Sequence, residues 1–236
     1  MFPLFCFILL WQAIWPDMVH TAPQQTKPIQ PYIWYSVTGG WTLETYEKET
    51  YLHFFQDSLT SSLPFELLST KKIGLPIGLT FDFRIGEKSL DYDLGFLLRS
   101  SSNTTVVLIS GSSTIKSIRI IKHGINVANI LSDEVVPLAR SFQVDTGWNK
   151  VNFTIDKMRG RININNEHVH DFVMPENKGA EFFGLAANHG ELTVRKIETI
   201  SGQTRTAINL ANSKIIRFPL QANQSPAENG KKLFSP

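Results

Sequence analysis

Cysteine is almost absent from this chain of 236 residues, whose single cysteine is Cys6. A domain without this N-terminal segment would have no thiol, which excludes disulfide bonds and thiolate metal sites from it. An excess of one charge is also missing, because the formal net charge is only +2 and basic residues form no cluster. The sequence therefore does not predict binding to nucleic acid or to an anionic membrane surface.

Long apolar runs are absent apart from one near the N-terminus. Phe2 to Trp15 is apolar except for Gln12. This run is shorter than the roughly 20 residues that cross a bilayer, and it fits the apolar region of a secretory signal peptide, about 7–15 residues long. We predict a signal peptide over residues 1–22, an extracellular location and no membrane insertion of the mature chain. The alternative is that the run forms a buried N-terminal part of the core.

Amphipathic helix patterns of ten or more residues are also missing, whereas alternation with a period of two is frequent. Leu79, Phe81 and Phe83 alternate with polar residues, and the segments 151–155 and 161–165 do the same. One apolar and one polar face is typical of a sheet that packs on one side only. Further strands are predicted at 34–37, 41–47, 50–55, 92–99, 105–109, 117–122, 125–131, 168–173, 182–186 and 191–199. So many short strands predict an all-β fold of two packed antiparallel sheets.

Turn residues refine this prediction. Asn165-Asn166 lies between two strands and fits a type I′ turn, since asparagine tolerates positive φ. The apolar parity breaks between Val194 and Ile197, which predicts a β-bulge near Arg195-Lys196.

The predicted domain boundaries follow from composition. Residues 23–31 are polar and proline-rich and suit a linker. The strand pattern then covers residues 32–200. Residues 201–236 form a C-terminal extension, partly disordered, in which 214–218 could add one more strand.

Several of these segments resemble a known superfamily. Trp148-Asn-Lys-Val-Asn-Phe-Thr-Ile155 is followed by Arg161-Ile-Asn-Ile-Asn-Asn166, then Phe183-Gly-Leu185 and Leu192-Thr-Val-Arg-Lys-Ile197. This order resembles the concanavalin A-like lectin/glucanase superfamily, and most of all its laminin G-like and DUF1080 (3-keto-glycoside hydrolase-like) branches. The resemblance implies a jelly-roll fold of two curved sheets, and it does not by itself imply an activity.

Catalytic or metal-binding carboxylates are sought first in such a fold. Retaining glucanases of the superfamily need two carboxyl groups about 5–5.5 Å apart, and the nearest pattern here is Asp91-Tyr92-Asp93. No third carboxylate follows, so a solvated loop is the simpler interpretation. Asp91 and Asp93 could instead help to bind Ca²⁺, which requires six to eight oxygen ligands. His168 and His170 could ligate a metal ion or simply occupy a polar sheet face.

Ligand-binding candidates lie on the polar faces of early strands. Asp82 and Arg84 share one face, and the resemblance implies that Arg99 lies in the same sheet. Together they could bind sugar hydroxyls or form structural ion pairs. Trp41 and Trp148 could stack on a sugar or pack in the core. Sequons at Asn103, Asn152 and Asn223 are candidate glycosylation sites.

These features predict a secreted binding module that recognises a glycan or another extracellular protein through a sheet face or rim loops. The alternative is a glycoside-processing enzyme of the DUF1080-like type. The sequence favours the non-enzymatic function and predicts no certain cofactor, with Ca²⁺ as the one candidate.

Overall fold

Sixteen β-strands and one short 3-10 helix make up the described part of the chain. The computed structural model describes residues 30–36, 39–56, 64–74, 76–87, 89, 91–112, 114–124, 129–156, 159–173 and 182–217. The strands are β1 (Tyr32–Ser36), β2 (Trp41–Tyr46), β3 (Glu49–Gln56), β4 (Phe65–Lys72), β5 (Ile77–Ile85), β6 (Tyr92–Arg99), β7 (Asn103–Gly111), β8 (Thr114–Gly124), β9 (Ile130–Gln143), β10 (Asn149–Asp156), β11 (Arg159–Ile164), β12 (Glu167–Val173), β13 (Phe182–Ala187), β14 (Gly190–Ser201), β15 (Thr204–Ala207) and β16 (Ser213–Arg217). The 3-10 helix spans Leu210–Asn212. No described helix has the length and apolar character needed to span a membrane.

The strands form two sheets of eight, which confirms the predicted all-β jelly-roll sandwich. Sheet 1 has the order β16-β1-β4-β13-β6-β7-β8-β9. Sheet 2 has the order β12-β11-β10-β5-β14-β3-β2, and β15 pairs with the end of β14. The pairing is antiparallel except that β16 runs parallel to β1. Each sheet therefore has one face toward the other sheet and one outer face.

The core lies between the two sheets and follows the predicted alternation. Leu79, Phe81 and Phe83 of β5 are buried there. The ring centroids of Phe153 in β10 and Phe96 in β6 are 4.5 Å apart. Apolar side chains from both sheets remove a large area from water, which is the main driving force for the fold. The intervening residues of sheet 2 consequently face outward.

Two local predictions are confirmed. Asn165 and Asn166 adopt φ values of 50° and 67°, as a type I′ turn requires. The pairing of β14 with β5 shifts register between Arg195 and Glu198, and Lys196 has a φ of 50°. This is the expected β-bulge, and it turns the Arg195 and Lys196 side chains toward the same outer face.

The sandwich extends past Ile200, where the sequence pattern weakens. β15 continues sheet 2 as a hairpin with β14, and β16 adds an edge strand to sheet 1 close to the predicted segment 214–218. Residues 1–29 and 218–236 lie outside the described residues. They include the predicted signal peptide, most of the linker and the end of the extension, which therefore remain predictions.

A buried ion pair lies on the outer side of sheet 1. His123 Nε2 is 2.7 Å from Glu66 Oε1, and the ring Nδ1 donates to the Gly124 carbonyl at 2.8 Å. Both side chains are at most 1% exposed. Burial alone would raise the pKa of Glu66, but the hydrogen bond and charge of His123, together with the charge of Arg99, hold it below its usual value. Burial likewise works against a charged His123, yet its contacts with Glu66 raise its pKa above the usual value, so the pair is ionised.

Candidate functional site

An aromatic platform occupies the outer face of sheet 2. The half-buried Trp148 ring stacks on the Tyr51 ring of β3, with centroids 5.8 Å apart and an interplanar angle of 12°. The Arg195 guanidinium lies 3.9 Å from the centroid of the Trp148 ring, and that of Arg84 lies 5.2 Å from it. Arginine over an indole face is a favourable cation–π contact that fixes the orientation of the ring. We call Tyr51, Arg84, Trp148 and Arg195 the Trp148 platform.

The turn before β10 holds Trp148 in place. The fully buried Asn149 side chain accepts hydrogen bonds from the Asp145 backbone N–H and from Asn165 Nδ2, both at 2.9 Å. Its own Nδ2 donates to the carbonyls of Asp145 at 2.8 Å and Gly147 at 3.2 Å. One buried amide therefore closes the turn that presents Trp148, because each of its polar atoms is satisfied by that turn or the adjacent hairpin.

Ion pairs support the platform from one side. Arg195 Nη1 is 3.1 Å from Glu49 Oε2, and Arg195 Nε is 3.5 Å from Asp82 Oδ2. Lys196 Nζ reaches the same Asp82 oxygen at 3.6 Å because of the bulge. The Tyr51 hydroxyl donates to Glu49 at 2.8 Å, and this bond together with the Arg195 charge lowers the pKa of the Glu49 carboxyl. The network keeps both Tyr51 and Arg195 against the indole.

A shallow polar depression of about 270 Å³ lies on the same face. Asn152 is directly opposite Thr80 in the β10–β5 pair and opposite Asn163 in the β10–β11 pair. The Asn152 Oδ1 atom is buried and has no hydrogen-bond partner among the described residues. The lining consists of Thr80, Lys150, Asn152, Asn163, Asn166 and Arg205. Such a surface offers hydroxyl, amide and cationic groups to a polar ligand, and its lining includes no carboxylate.

The platform and the depression are neighbours. Lys150 follows Trp148 by two residues in the chain and lies opposite Asp82, which precedes Arg84 by two on β5. Residues two apart on a strand share a face, so the exposed Lys150 side chain, which lines the depression, also lies next to the platform. The two features therefore form one continuous surface on the outer side of sheet 2.

Two of the four predicted ligand-binding residues lie on this surface. Asp82 and Arg84 do so, although Asp82 pairs with Arg195 and Lys196 while Arg84 contacts Trp148.

The other two predicted ligand-binding residues do not. The placement of Arg99 was wrong, because the chain crosses between sheets after Ile85, and Arg99 lies buried in β6 of sheet 1. Trp41 is fully buried, packs on Phe54 and donates to the Phe65 carbonyl at 3.1 Å. Trp41 is thus a core residue, which was the other interpretation of the sequence.

The two residues predicted to help bind calcium differ in exposure, since Asp93 is buried and Asp91 is exposed. Asp93 is 7% exposed and its Oδ2 lies 3.3 Å from His189 Nδ1 and 3.4 Å from Asn188 Nδ2. Asp91 is exposed immediately before β6. No group of three or more His, Cys, Asp or Glu side chains among the described residues could hold a metal ion. Asp93 organises the turn at Asn188, and calcium binding stays a prediction without structural support.

The paired histidines and the sequons complete the candidates. Asp171, the carboxylate next to His168 and His170 in the chain, lies 2.8 Å from Arg161 Nε and 3.9 Å from His168 Nε2. Among the sequons, Asn103 begins β7, where its Nδ2 donates to Ser102 Oγ at 3.2 Å. Asn152 lines the depression, and Asn223 lies outside the described residues. Glycosylation at all three stays a prediction.

A larger cavity of about 660 Å³ lies at the ends of the sheet 2 strands. Its walls include Ile77, Ile155 and Phe172, and the polar pair at its rim, Arg161 and Asp171, is bound to itself. Its size suits a small ligand. A binding site needs several polar side chains that can contact the same ligand. The outer face of sheet 2 has more such side chains than the larger cavity, and we therefore place the candidate site there.

Comparisons with known proteins agree with the fold. No family model matches the sequence, and no curated protein matches it significantly. Among solved structures, the carbohydrate-binding module CBM66 from Bacillus subtilis has a TM-score of 0.51 at 15% identity, over 71% of this chain and 95% of that one. A Bacillus subtilis protein of unknown function with a galectin-like fold has a TM-score of 0.46 at 14% identity, over 75% and 90%. A Bacteroides ovatus GH16 protein in complex with a glucan product has a TM-score of 0.46 at 12% identity, over 70% of this chain and 87% of that one. The likeness to CBM66 establishes a shared jelly-roll fold, whereas the predicted laminin G-like or DUF1080-like branch is not established.

Proposed function

We propose that this protein is a secreted carbohydrate-binding module that holds a glycan on the outer face of sheet 2. The observation that carries the proposal is the half-buried Trp148, fixed by Arg195 and Tyr51 beside a depression lined with amide, hydroxyl and cationic groups. A sugar presents apolar C–H faces and many hydroxyl groups. A rigid aromatic surface beside hydrogen-bonding side chains complements both.

Two further facts support this proposal. The fold is shared with a module that is named for carbohydrate binding. This makes carbohydrate binding a reasonable expectation here but does not identify the sugar. The site is also preorganised, because Asn149 and the Glu49 network fix the platform in the free protein. A preorganised site loses less entropy when a ligand binds. Secretion is proposed from the apolar run in residues 1–22.

Replacing Trp148 by alanine tests the proposal. A central tryptophan in a binding site is commonly worth about 2 kcal/mol or more, so the Trp148→Ala variant should bind its best glycan at least about 30-fold more weakly. The ligand is first selected on an array of neutral and acidic glycans, and the affinity is then measured by calorimetry. A circular-dichroism melt of the variant verifies that it still folds.

The control is Leu131→Ala. Leu131 is 54% exposed on β9 of sheet 1, so it lies on the other sheet from the platform. This variant should bind like the wild type. Equal losses in both variants, or no glycan bound by the wild type, would contradict the proposal.

A protein ligand has one observation in its favour, at a different place. β9 is an edge strand of sheet 1 among the described strands, and Ile130, Leu131 and Val135 are exposed on it. Exposed apolar residues on a sheet edge are a feature of protein-binding surfaces. The glycoside-processing alternative gains no such observation and stays a prediction from the sequence.

A further inference from the structure

Two cationic side chains near the Trp148 platform are not engaged by the carboxylates on the outer face of sheet 2. Glu49 contacts Arg195 at 3.1 Å, Asp82 contacts Arg195 and Lys196 at 3.5 and 3.6 Å, and Glu198 contacts Arg205 at 3.3 Å. Glu44 and Glu191, on the same face, lie 3.0 and 3.5 Å from the ring nitrogens of His53. Arg84 and Lys150 remain, and neither forms an ion pair with a described carboxylate. The surface therefore carries two cationic groups beyond those that its own acids engage.

These two cations lie close enough to act together. Lys150 is directly opposite Asp82 in the β10–β5 pair, and Arg84 is two residues further along β5. Diagonal neighbours of this kind have Cβ atoms about 7–8 Å apart, which long side chains span easily. Both side chains are exposed, and Arg84 makes the longer of the two arginine contacts to Trp148. The two cationic groups can thus meet at one anionic group above the sheet.

The lining of the depression beside Lys150 also favours an anionic group. Its lining combines Lys150 and Arg205 with three amides and one hydroxyl, and it includes no carboxylate that would repel an anion. Its volume of about 270 Å³ is smaller than the roughly 300–1,000 Å³ of sites for drug-sized ligands, so it suits a single sugar residue. Guanidinium and ammonium groups form their strongest hydrogen bonds with carboxylate or sulfate oxygens.

We propose that the ligand is an acidic glycan, in which one sugar residue lies in the depression and its carboxylate or sulfate is bound by Lys150 and Arg84. This inference rests on the proposed glycan-binding function and specifies the class of sugar. It also predicts that binding weakens as salt is added, because exposed charges are screened over about 8–10 Å at physiological ionic strength.

Matched pairs of glycans test this inference. Affinities are measured by calorimetry for sialyllactose against lactose, for oligogalacturonate against its methyl ester, and for a sulfated oligosaccharide against its desulfated form. A glycan attached to Asn152 would occupy the depression, so the protein is prepared without N-glycosylation. At least one acidic member should bind 10-fold or more tightly than its neutral partner.

Variants then assign the effect to residues. Arg84→Gln and Lys150→Gln should each weaken binding of the acidic member about 10-fold more than they weaken binding of its neutral partner. Arg159→Gln is the control, since Arg159 is an exposed arginine of β11 in the same sheet that lies outside the platform and the depression. It should change neither affinity.

The outcomes separate the two claims. If neutral members bind as tightly as their acidic partners, the acidic-glycan inference is wrong while the proposed function stands. If neither member of any pair binds, the proposed function fails as well. If an acidic member is preferred but Arg84→Gln and Lys150→Gln do not reduce the preference, the assigned site is wrong.

Discussion

Replacing Gly95 by alanine should destabilise the protein by at least about 3 kcal/mol. Gly95 lies in the middle of β6 between Leu108 of β7 and Ala186 of β13. A Cβ atom at this position would overlap the Val107 carbonyl oxygen and lie 2.7 Å from the Val107 carbonyl carbon and 2.9 Å from the Leu108 Cα. Backbone cannot rotate away as a side chain can, so the central strands of sheet 1 would have to separate. Overpacking usually costs 1–3 kcal/mol, and backbone contacts place this case at the upper end or beyond.

Thermal unfolding measures this effect. For a domain of this size, about 3 kcal/mol lowers Tm by roughly 6–12 °C, and a larger loss would abolish the cooperative transition. Gly147→Ala is the matched control, since a Cβ there meets nothing within 4 Å and the residue has no positive φ. This control should melt like the wild type or slightly above it. A Gly95→Ala protein that melts with the control would contradict the close approach of β6 and β7.

Replacing His123 by leucine should destabilise the protein by about 3–5 kcal/mol, because it leaves the Glu66 carboxylate buried without its partner. The pKa of Glu66 should then rise, since the hydrogen bond and charge that lower it are gone. Glu66→Gln and the double variant complete a thermodynamic cycle. The free energy of unfolding lost by the double variant should be clearly smaller than the sum of the losses in the two single variants. Simple additivity would show that the residues do not interact.

The pH dependence gives a second readout of the same pair. Glu66 has a lowered pKa, so its contribution is present above its ordinary value of 4.5 and is lost as pH falls through the lower folded value. His123 has a raised pKa, so its contribution is present below its ordinary value of 6.5 and is lost as pH rises through the higher folded value. The free-energy difference between wild type and the double variant should therefore be largest from about pH 4.5 to 6.5. Urea unfolding at several pH values measures it, and a difference that does not vary with pH would contradict an ionised pair.

Strands whose two faces differ could be predicted from sequence because burial leaves a period of two. β5, β10 and β11 pack one face on the core, and the alternation marks each of them. The type I′ turn at Asn165 and the bulge at Lys196 were also predictable, since positive φ and a parity break leave local signals.

Other strands leave no such signal. β4 (Phe65–Lys72) was missed because Glu66, Leu67, Leu68 and Ser69 are buried in succession, so its buried residues do not alternate with exposed ones. A strand was predicted at 125–131, of which 125–128 lie outside the described residues. Most of β9 (Ile130–Gln143) was missed, because it is an edge strand with a mostly exposed surface and an internal Pro137. Burial on both faces and burial on neither face both remove the periodic pattern.

The site was predictable in part for a similar reason. Asp82 and Arg84 could be assigned to a shared polar face by their spacing. Tyr51 and Arg195 could not be joined to them, because only the order of β3, β14 and β5 in sheet 2 makes these strands neighbours. Strand order depends on contacts between distant segments, and the same limit explains why Arg99 was assigned to the wrong sheet.

Mapping the bound glycan on the folded protein tests the central claim most directly. Amide and side-chain NMR spectra of the ¹⁵N-labelled protein are recorded while the glycan with the highest affinity is added. The account predicts that the largest shifts fall on the Trp148 indole N–H, Arg84, Lys150 and Asn152, all on the outer face of sheet 2. Shifts that instead cluster on sheet 1, with these four signals unmoved at saturation, would contradict it.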